Sequence, residues 1–402
     1  MFCRLLIIIT FLFLPAITHS GQSPEYNLEV AFDIHNSKIA GIARIDVSAG
    51  KELVIHAGEL KIIDLSLNQQ KIQPEVLNGI LKILPHQNGA LIIRYEGVFK
   101  DNKAVYDTNY GAVSSIIDDR GISLTGIWYP QANGLYRYNL RAILPKGYEA
   151  VSEAEGIIKN TKNGNTEFIS EFPYPVDGIN FIATNRYEII KDSFNGIEIY
   201  AYFFKEDIEL AKQYIEYTKK YLKMYEALLG KYPYKRFSIV ENFLPTGYSM
   251  PSYTLLGRDV VRLPFIVETS LGHEILHQWF GNLVYIDHEK GNWAEGLTTY
   301  LADHLYEDQK GKGWEYRKQT LIDYMSYVND RNEFPLRDFM GRTDFSSKTI
   351  GYGKTAMIFH MLKNITGEDI FYRSLRDFIK EKSFKKASWG DLGVIFERNY
   401  RK

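Results

Sequence analysis

Two histidines four residues apart, His273 and His277, enclose Glu274 in the stretch HEILH, and a further carboxylate, Glu295, follows after seventeen intervening residues. Residues at i and i+4 of a helix lie on one face about one turn apart, so two imidazoles at this spacing can close on a single metal ion. Zinc prefers nitrogen and oxygen ligands in a tetrahedron, and a catalytic zinc keeps three protein ligands so that the fourth position is left for water. His273, His277 and Glu295 supply such a set, and one zinc per chain is the expectation. Bound zinc lowers the pKa of a water from about 16 to about 7. Glu274 is not needed as a ligand; it is placed to take a proton from that water and deliver it to a leaving amine. The context strengthens the motif, because HEILH lies in a helical pattern, runs on into Gln278-Trp279-Phe280-Gly281-Asn282, and is followed by Glu295 on the next helical stretch, NWAEGLTTYLADHL. His288, His304 and His360 have no such partners and are read as surface or core histidines.

These residues need a scaffold, and the chain divides into two halves of different character. From Tyr26 to about Ile190 it offers short segments rich in β-branched and aromatic residues: YNLEVAFDI, ARIDVSA, ELVIHA, ALIIRYEGVF, RYNLRAILP and FIATNRYEII. Turn signals recur between them, among them Asn78-Gly79, Asn88-Gly89, Asn133-Gly134 and Asn163-Gly164, and such alternation predicts an antiparallel sheet or sandwich. Beyond Ser193 a strand, Asn195 to Phe204, precedes a stretch from Glu206 to Gly230 with apolar residues at three- and four-residue steps, the period of an amphipathic helix. Helical patterns continue through the motif to segments around Trp314 to Val328, Lys354 to Ile365 and Ile370 to Lys382. The expectation is a multidomain α+β protein: an all-β domain over 22–190, and a mostly helical domain over 191–402 that carries the chemistry.

Composition narrows the function. The 402 residues, 45% apolar, can bury a sizeable core, and 48 basic against 49 acidic side chains give no electrostatic footprint for nucleic acid or an anionic membrane. Cys3 is the single cysteine, so thiolate ligands are not available to a mature chain. Residues 1–20 read as a signal peptide: Arg4 in the n-region, an apolar run from Leu5 to Ile17 broken by Pro15, and small residues at Thr18-His19-Ser20. Export to the periplasm or the cell exterior follows, with no integral membrane span in the mature chain, since the apolar run is too short to cross a bilayer comfortably.

HEILHQWFGNLV followed by WAEGLTTY resembles the gluzincin aminopeptidases related to aminopeptidase N. The resemblance extends over FIATNRYEII, the YPYKRF stretch (Tyr232 to Phe237) and IGYGKTAMIFHML (Ile350 to Leu362). It implies a thermolysin-like catalytic domain, a peptide substrate, and a role for Tyr352, ahead of Gly353-Lys354-Thr355-Ala356, as the tyrosine that stabilises the transition state. A phenol O–H can donate to the developing oxyanion.

Three departures accompany it. The seventeen residues between His277 and Glu295 are one fewer than the family's usual eighteen, which is read as a deletion around Asp287 to Asn292 that keeps Glu295, and not Gly296, on the metal. The family's G-x-M-E-N segment, whose Glu grips the substrate's free amine, corresponds to Gly247-Tyr248-Ser249-Met250-Pro251-Ser252; Gly247 and Met250 match, but no carboxylate follows Met250. Gly247, Tyr248 and Met250 are expected to bind substrate from a strand beside the cleft, while Glu241, the nearest upstream carboxylate, is read as structural. The sequence stops at Lys402 without the further domains of larger relatives, so a more open channel is expected. The function expected is an exported zinc metallopeptidase of aminopeptidase N type. Two alternatives stand beside it: a zinc peptidase that needs no free N-terminus, and a non-catalytic binding protein on the same scaffold, against which the intact His273, Glu274, His277, Glu295 and Tyr352 speak.

Overall fold

The computed structural model describes residues 23–73, 75–100 and 115–401; the expected leader, with Cys3, lies outside the described residues. The first half is β-structure throughout. Its largest sheet has eight strands, in the order Gly156–Lys162, Asn165–Val176, Tyr136–Pro145, Glu25–Asp33, Lys38–Val47, Gly89–Val98, Lys61–Leu67 and Gln70–Lys71. The strand Tyr136–Pro145 alternates buried and part-exposed residues along its whole length, so Tyr138, Leu140, Ala142 and Leu144 enter the core as the period of two requires. Two four-stranded sheets complete this half.

Asn78-Gly79 and Asn163-Gly164 adopt the left-handed backbone at both positions, as do Asn195-Gly196, and this is the geometry that two-residue hairpin turns require. In the eight-stranded sheet the pairing is antiparallel except in one place, where Glu25–Ala31 runs parallel to Arg137–Ile143. The sheet is therefore mixed, a feature that short-range turn signals cannot reveal because the two strands are joined by over a hundred residues.

The second half is built on a five-stranded sheet ordered Tyr187–Phe194, Ile197–Phe204, Arg236–Asn242, Tyr253–Gly257 and Gly247–Met250. Tyr187–Phe194 pairs antiparallel with Ile197–Phe204, so this sheet begins a few residues before the division expected after Ile190. The long helix Ile208–Leu229 buries Ala211, Ile215, Leu222 and Leu229 together with Tyr214, Tyr221 and Tyr225. Its tyrosines reach across as hydrogen-bond donors: Tyr214 to the carbonyl of Val261 (3.0 Å), Tyr221 to that of Val267 (2.9 Å) and Tyr225 to that of Gly272 (3.0 Å). A buried phenol needs such a partner, and here the partners fix the approach to the HEILH helix. Among the described residues no helix is long and apolar enough to cross a membrane.

The two halves meet beside the edge strand. Tyr285 donates to the carbonyl of Pro175 (2.6 Å) and Tyr174 stacks on Phe384 at 4.3 Å. Glu153, fully buried at this junction, accepts from the backbone and side-chain nitrogens of Asn180, each at 2.8 Å. Burial pushes its carboxyl from 4.5 up to about 7, against the donors of Asn180 and Ser152, which favour the ionised form. Between those two values the folded protein holds a proton that the unfolded chain has released, so this group's contribution to stability is full below pH 4.5 and falls away as the pH rises to about 7. In Glu153→Gln, the stability lost between about pH 5 and pH 8 shrinks by roughly 2 kcal/mol relative to wild type, as read from urea unfolding at the two pH values. An unchanged difference would show that Glu153 is ionised in the fold across that range.

Candidate functional site

The HEILH segment forms the helix Ser270–Leu276, with His277 at its C-cap in helical conformation (φ −58°, ψ −17°). The helix is short and is held by burial: Leu271, Ile275 and Leu276 are fully enclosed. Gly272 matters most to its position, because a Cβ there would lie 2.0 Å from the Tyr306 hydroxyl and 2.7 Å from the Tyr221 ring. Any other residue would push the helix off its seat just before His273. Glu295 stands in the first turn of the helix Ala294–Thr299, whose N-terminus is capped by Asn292 Oδ1, accepting from Ala294 N at 3.0 Å. Gly296 again allows close packing, since a Cβ would meet Thr355 Cγ2 at 2.0 Å and the carbonyl of Gly351 at 2.9 Å.

The consequence is convergence. Glu295 Oε2 lies 3.5 Å from His273 Nε2 and 3.5 Å from His277 Nε2, and the three ligand atoms all lie within 4.8 Å of one another. Glu295, not Gly296, faces the imidazoles despite the shorter spacing. The far nitrogens are engaged: His277 Nδ1 with the carbonyl of Phe280 (2.9 Å), and His273 Nδ1 with Asp303 Oδ2 (3.1 Å). A carbonyl only accepts, so His277 carries its proton on Nδ1 and turns the lone pair of Nε2 inward; the Asp303 carboxylate sets the same tautomer in His273. Two imidazole lone pairs and one carboxylate oxygen, turned on a common point, fit a zinc ion.

The electrostatics favour a cation there. Burial alone would raise the Glu295 carboxyl, but the imidazoles of His277 and His273 outweigh it and hold it well below its usual range. Burial would lower His273, yet Asp303 and Glu295 raise it well above the ordinary histidine value. Glu274 sits beside this group with its carboxyl raised by burial and by the neighbouring carboxylates of Glu295 and Asp303, and lowered by the two imidazoles.

Tyr352 approaches from the other side, in a stretch of π-helix, Thr349–Lys354. Its phenol is raised by burial and by the negative charge of the nearby Glu295 carboxylate, so it keeps its proton as a donor. Phe339 packs edge-on against its ring, centroids 6.0 Å apart.

Asp303 joins the site through His273, and the sequence reading did not single it out. It stands eight positions after Glu295, which on a straight α-helix would turn it about 80° away from that face. The π-helical turn Tyr300–His304 takes up the extra residue and brings Asp303 back toward His273. Carboxylates in this position orient the ligand and raise its basicity. Asp303→Asn should weaken zinc binding by about 10- to 100-fold with the fold intact, measured by competition with a chromogenic chelator; an unchanged zinc affinity would leave Asp303 without this role.

The strand Gly247–Met250 lies at the sheet's edge against the HEILH helix, and the contact is made by Ser249. Its hydroxyl donates to the carbonyl of Glu274 (2.7 Å) and accepts from Gln278 Nε2 and Asn282 Nδ2, each at 2.9 Å. Tyr248 and Met250 alternate with it and pack into the cluster on the sheet's opposite side, with Val151, Tyr187 and Leu255; Gly247 is exposed. Ser252, in left-handed backbone (φ 72°), donates its amide to Gln278 Oε1 at 2.9 Å, and its hydroxyl accepts from Ala154 N at 3.3 Å. Glu241 is fully buried in the strand Arg236–Asn242, accepting from Phe204 N at 2.7 Å. Of the remaining histidines, His304 is buried, with Arg317 at 2.8 Å from its Nε2, and His360 faces Tyr300 and Asn364.

Residues 265–401 match the peptidase family M1 domain. Over 92% of its length the chain is 22% identical to leucyl aminopeptidase of Saccharolobus solfataricus, covering 50% of that protein, and over 95% it is 22% identical to aminopeptidase M1 of Arabidopsis thaliana, covering 49%. The chain thus spans about half the length of these curated relatives. Among solved structures it is similar to the M1 zinc metallopeptidase of Deinococcus radiodurans, with a TM-score of 0.73 at 16% identity, over 94% of this chain and 93% of that one. The fold, the family match and the ligand group agree: residues 265–401 carry a peptidase family M1 domain, and the chain as a whole is similar to aminopeptidase N-like members of that family.

Proposed function

We propose that the chain is a zinc-dependent peptidase of aminopeptidase N type that hydrolyses peptide bonds with an activated water. The observation that carries this reading is the convergence of His273 Nε2, His277 Nε2 and Glu295 Oε2, with Glu274 beside it. Zinc, when bound by these three, acidifies a water and polarises the scissile carbonyl. Glu274 takes the proton of the attacking water; among the described residues no hydrogen bond holds its carboxylate. It then returns that proton to the leaving amine. Tyr352, kept protonated by burial and by the charge of Glu295, donates to the oxyanion that develops on the carbonyl. The edge strand Gly247–Met250 presents its unpaired backbone alongside the HEILH helix, where an extended peptide can lie. The direct test is cleavage of a broad peptide library by the zinc-loaded protein; a protein that holds one zinc and cuts nothing would be a binding protein on this scaffold.

A second reading, a peptidase that needs no free N-terminus, is favoured by one feature. No Asp or Glu occurs from Thr246 to Gly257, and the turn after Met250 is closed off, with Pro251 and Ser252 buried and Ser252 tied to Gln278 and Ala154. A free amine is normally gripped by a carboxylate. Paired free and N-acetylated peptides separate the two readings, since a strong preference for the free amine requires a grip from elsewhere in the cleft.

For Tyr352→Phe the expectation is a fall in kcat of about 10²- to 10³-fold with little change in KM, because the donor acts on charge that exists only in the transition state. An equal rise in KM would instead place Tyr352 in ground-state binding. Export is also proposed, on the leader-like pattern from Arg4 to Ser20; cell fractionation with N-terminal sequencing of the mature protein tests it, and an intact Met1 on cytoplasmic protein would refute it.

A further inference from the structure

The wall of the cleft that carries Tyr352 has a cation with no counter-charge. The segment leading to it is anchored twice. Asn292, the residue that caps the Glu295 helix, donates its amide to the carbonyl of Phe339 (2.6 Å) and its side chain to that of Met340 (3.4 Å). Four residues further on, Asp344 forms a capping box with Ser347 at the start of the helix Phe345–Lys348, which runs directly into the π-helical turn bearing Tyr352. Arg342 stands between these two fixed points. It is three positions on from Phe339, whose ring lies against Tyr352, so its Cα lies within about 11 Å of the Phe339 Cα.

Arg342 is exposed, and among the described residues it has no ion pair or hydrogen bond. The nearest carboxylate in sequence, Asp344, is occupied by Ser346 and Ser347. Near Arg342 in the chain stand exposed apolar residues: Met340 is 44% exposed, and Phe345, 69% exposed, stacks on Tyr327 at 5.2 Å. The edge strand Gly247–Met250, which lies against the HEILH helix, and the turn after it carry no charged side chain.

This asymmetry orients a peptide. We propose that Arg342 binds a substrate carboxylate at the C-terminal end of a short peptide whose residues beyond the scissile bond lie along the apolar shelf of Met340, Phe345 and Tyr327. The inference rests on the peptidase reading for the word substrate, though the binding it describes can be measured without turnover. A planar guanidinium matches a carboxylate in two parallel hydrogen bonds, and an extended peptide advances about 3.3 Å per residue, so the carboxylate that reaches it is within a few residues of the cut. Either the terminal carboxylate or an acidic last side chain offers this chemistry. The enzyme would then favour short peptides, or peptides with an acid near the cut, over long neutral ones.

The test uses zinc-loaded Glu274→Gln protein, which keeps peptides whole, and isothermal titration with three ligands: Ala-Leu-Phe, its C-terminal amide, and Ala-Leu-Glu amide. A carboxylate-bearing ligand should bind about 5- to 10-fold more tightly than Ala-Leu-Phe amide, a modest factor because the pair is open to solvent. Tighter binding of Ala-Leu-Phe assigns the terminal carboxylate, and tighter binding of Ala-Leu-Glu amide assigns the side chain. Adding Arg342→Gln should bring the ratio to about one, and Arg342→Lys should keep part of it. Equal binding of all three ligands, or a ratio untouched by Arg342→Gln in protein that still holds its zinc, overturns the proposal. Discrimination that survives while wild-type protein cuts no peptide would overturn the peptidase reading and leave the carboxylate site standing.

Discussion

Glu274→Gln is expected to lower kcat/KM by about 10³- to 10⁴-fold while the protein keeps its zinc, the upper part of the roughly 10²- to 10⁴-fold range that a positioned general base contributes. The substitution keeps the shape and hydrogen-bonding length of the side chain and removes only its ability to take a proton. The geometry separates the two effects. The group that could hold the ion is His273, His277 and Glu295, without Glu274, so the metal content should not fall. The substrate wall should not move either, because Ser249 holds the helix through the backbone carbonyl of Glu274 and not through its carboxylate. The reading therefore demands three results together: one zinc per chain by elemental analysis, an unchanged unfolding midpoint, and the loss in kcat/KM. A variant within tenfold of wild type would remove Glu274 from the proton path and with it the mechanism. A variant that had lost zinc would mean that the carboxylate is a ligand.

The motif was legible because its parts are local. An i,i+4 pair of histidines on a helix needs no tertiary information to converge, and the amphipathic run from Ile208 to Leu229 and the Asn-Gly hairpins announce themselves by period and turn chemistry. Glu295 was legible through its sequence context, and it converges with the histidines despite the shorter spacing, on a helix whose first turn is held by the Asn292 side chain. What was not legible depends on features without a sequence period. No pattern marks the π-helical turn Tyr300–His304 that rotates Asp303 onto His273; a carboxylate two turns beyond Glu295 was the available signal. Strand alternation in Gly247–Met250 could have shown that Tyr248 and Met250 point one way and Ser249 the other, but which face meets the HEILH helix is decided by the packing of Val151 and Tyr187 from elsewhere in the chain.

Glu295→Ala should abolish stoichiometric zinc and lower activity by on the order of 10⁴-fold or more, since two imidazoles alone hold the ion weakly and the anionic ligand is lost. The more informative variant is Glu295→Asp, which keeps the charge and shortens the reach by one methylene, about 1.5 Å. On a mobile helix that deficit would be recovered by a small shift toward the histidines. Here the helix has little freedom to make it. Gly296 already lies so close to Thr355 and to the carbonyl of Gly351 that no Cβ would fit, Asn292 fixes the N-terminus, and the facing helix is itself seated by Gly272 against Tyr221 and Tyr306. Glu295→Asp is therefore expected to bind zinc about 10²-fold more weakly than wild type in chelator competition, close to the upper end of what loss of ligand orientation costs, and to recover activity only in excess zinc. If Glu295→Asp instead binds zinc as wild type does, the two helices are free to approach, and the packing of Gly272 and Gly296 does not set the geometry of the metal site.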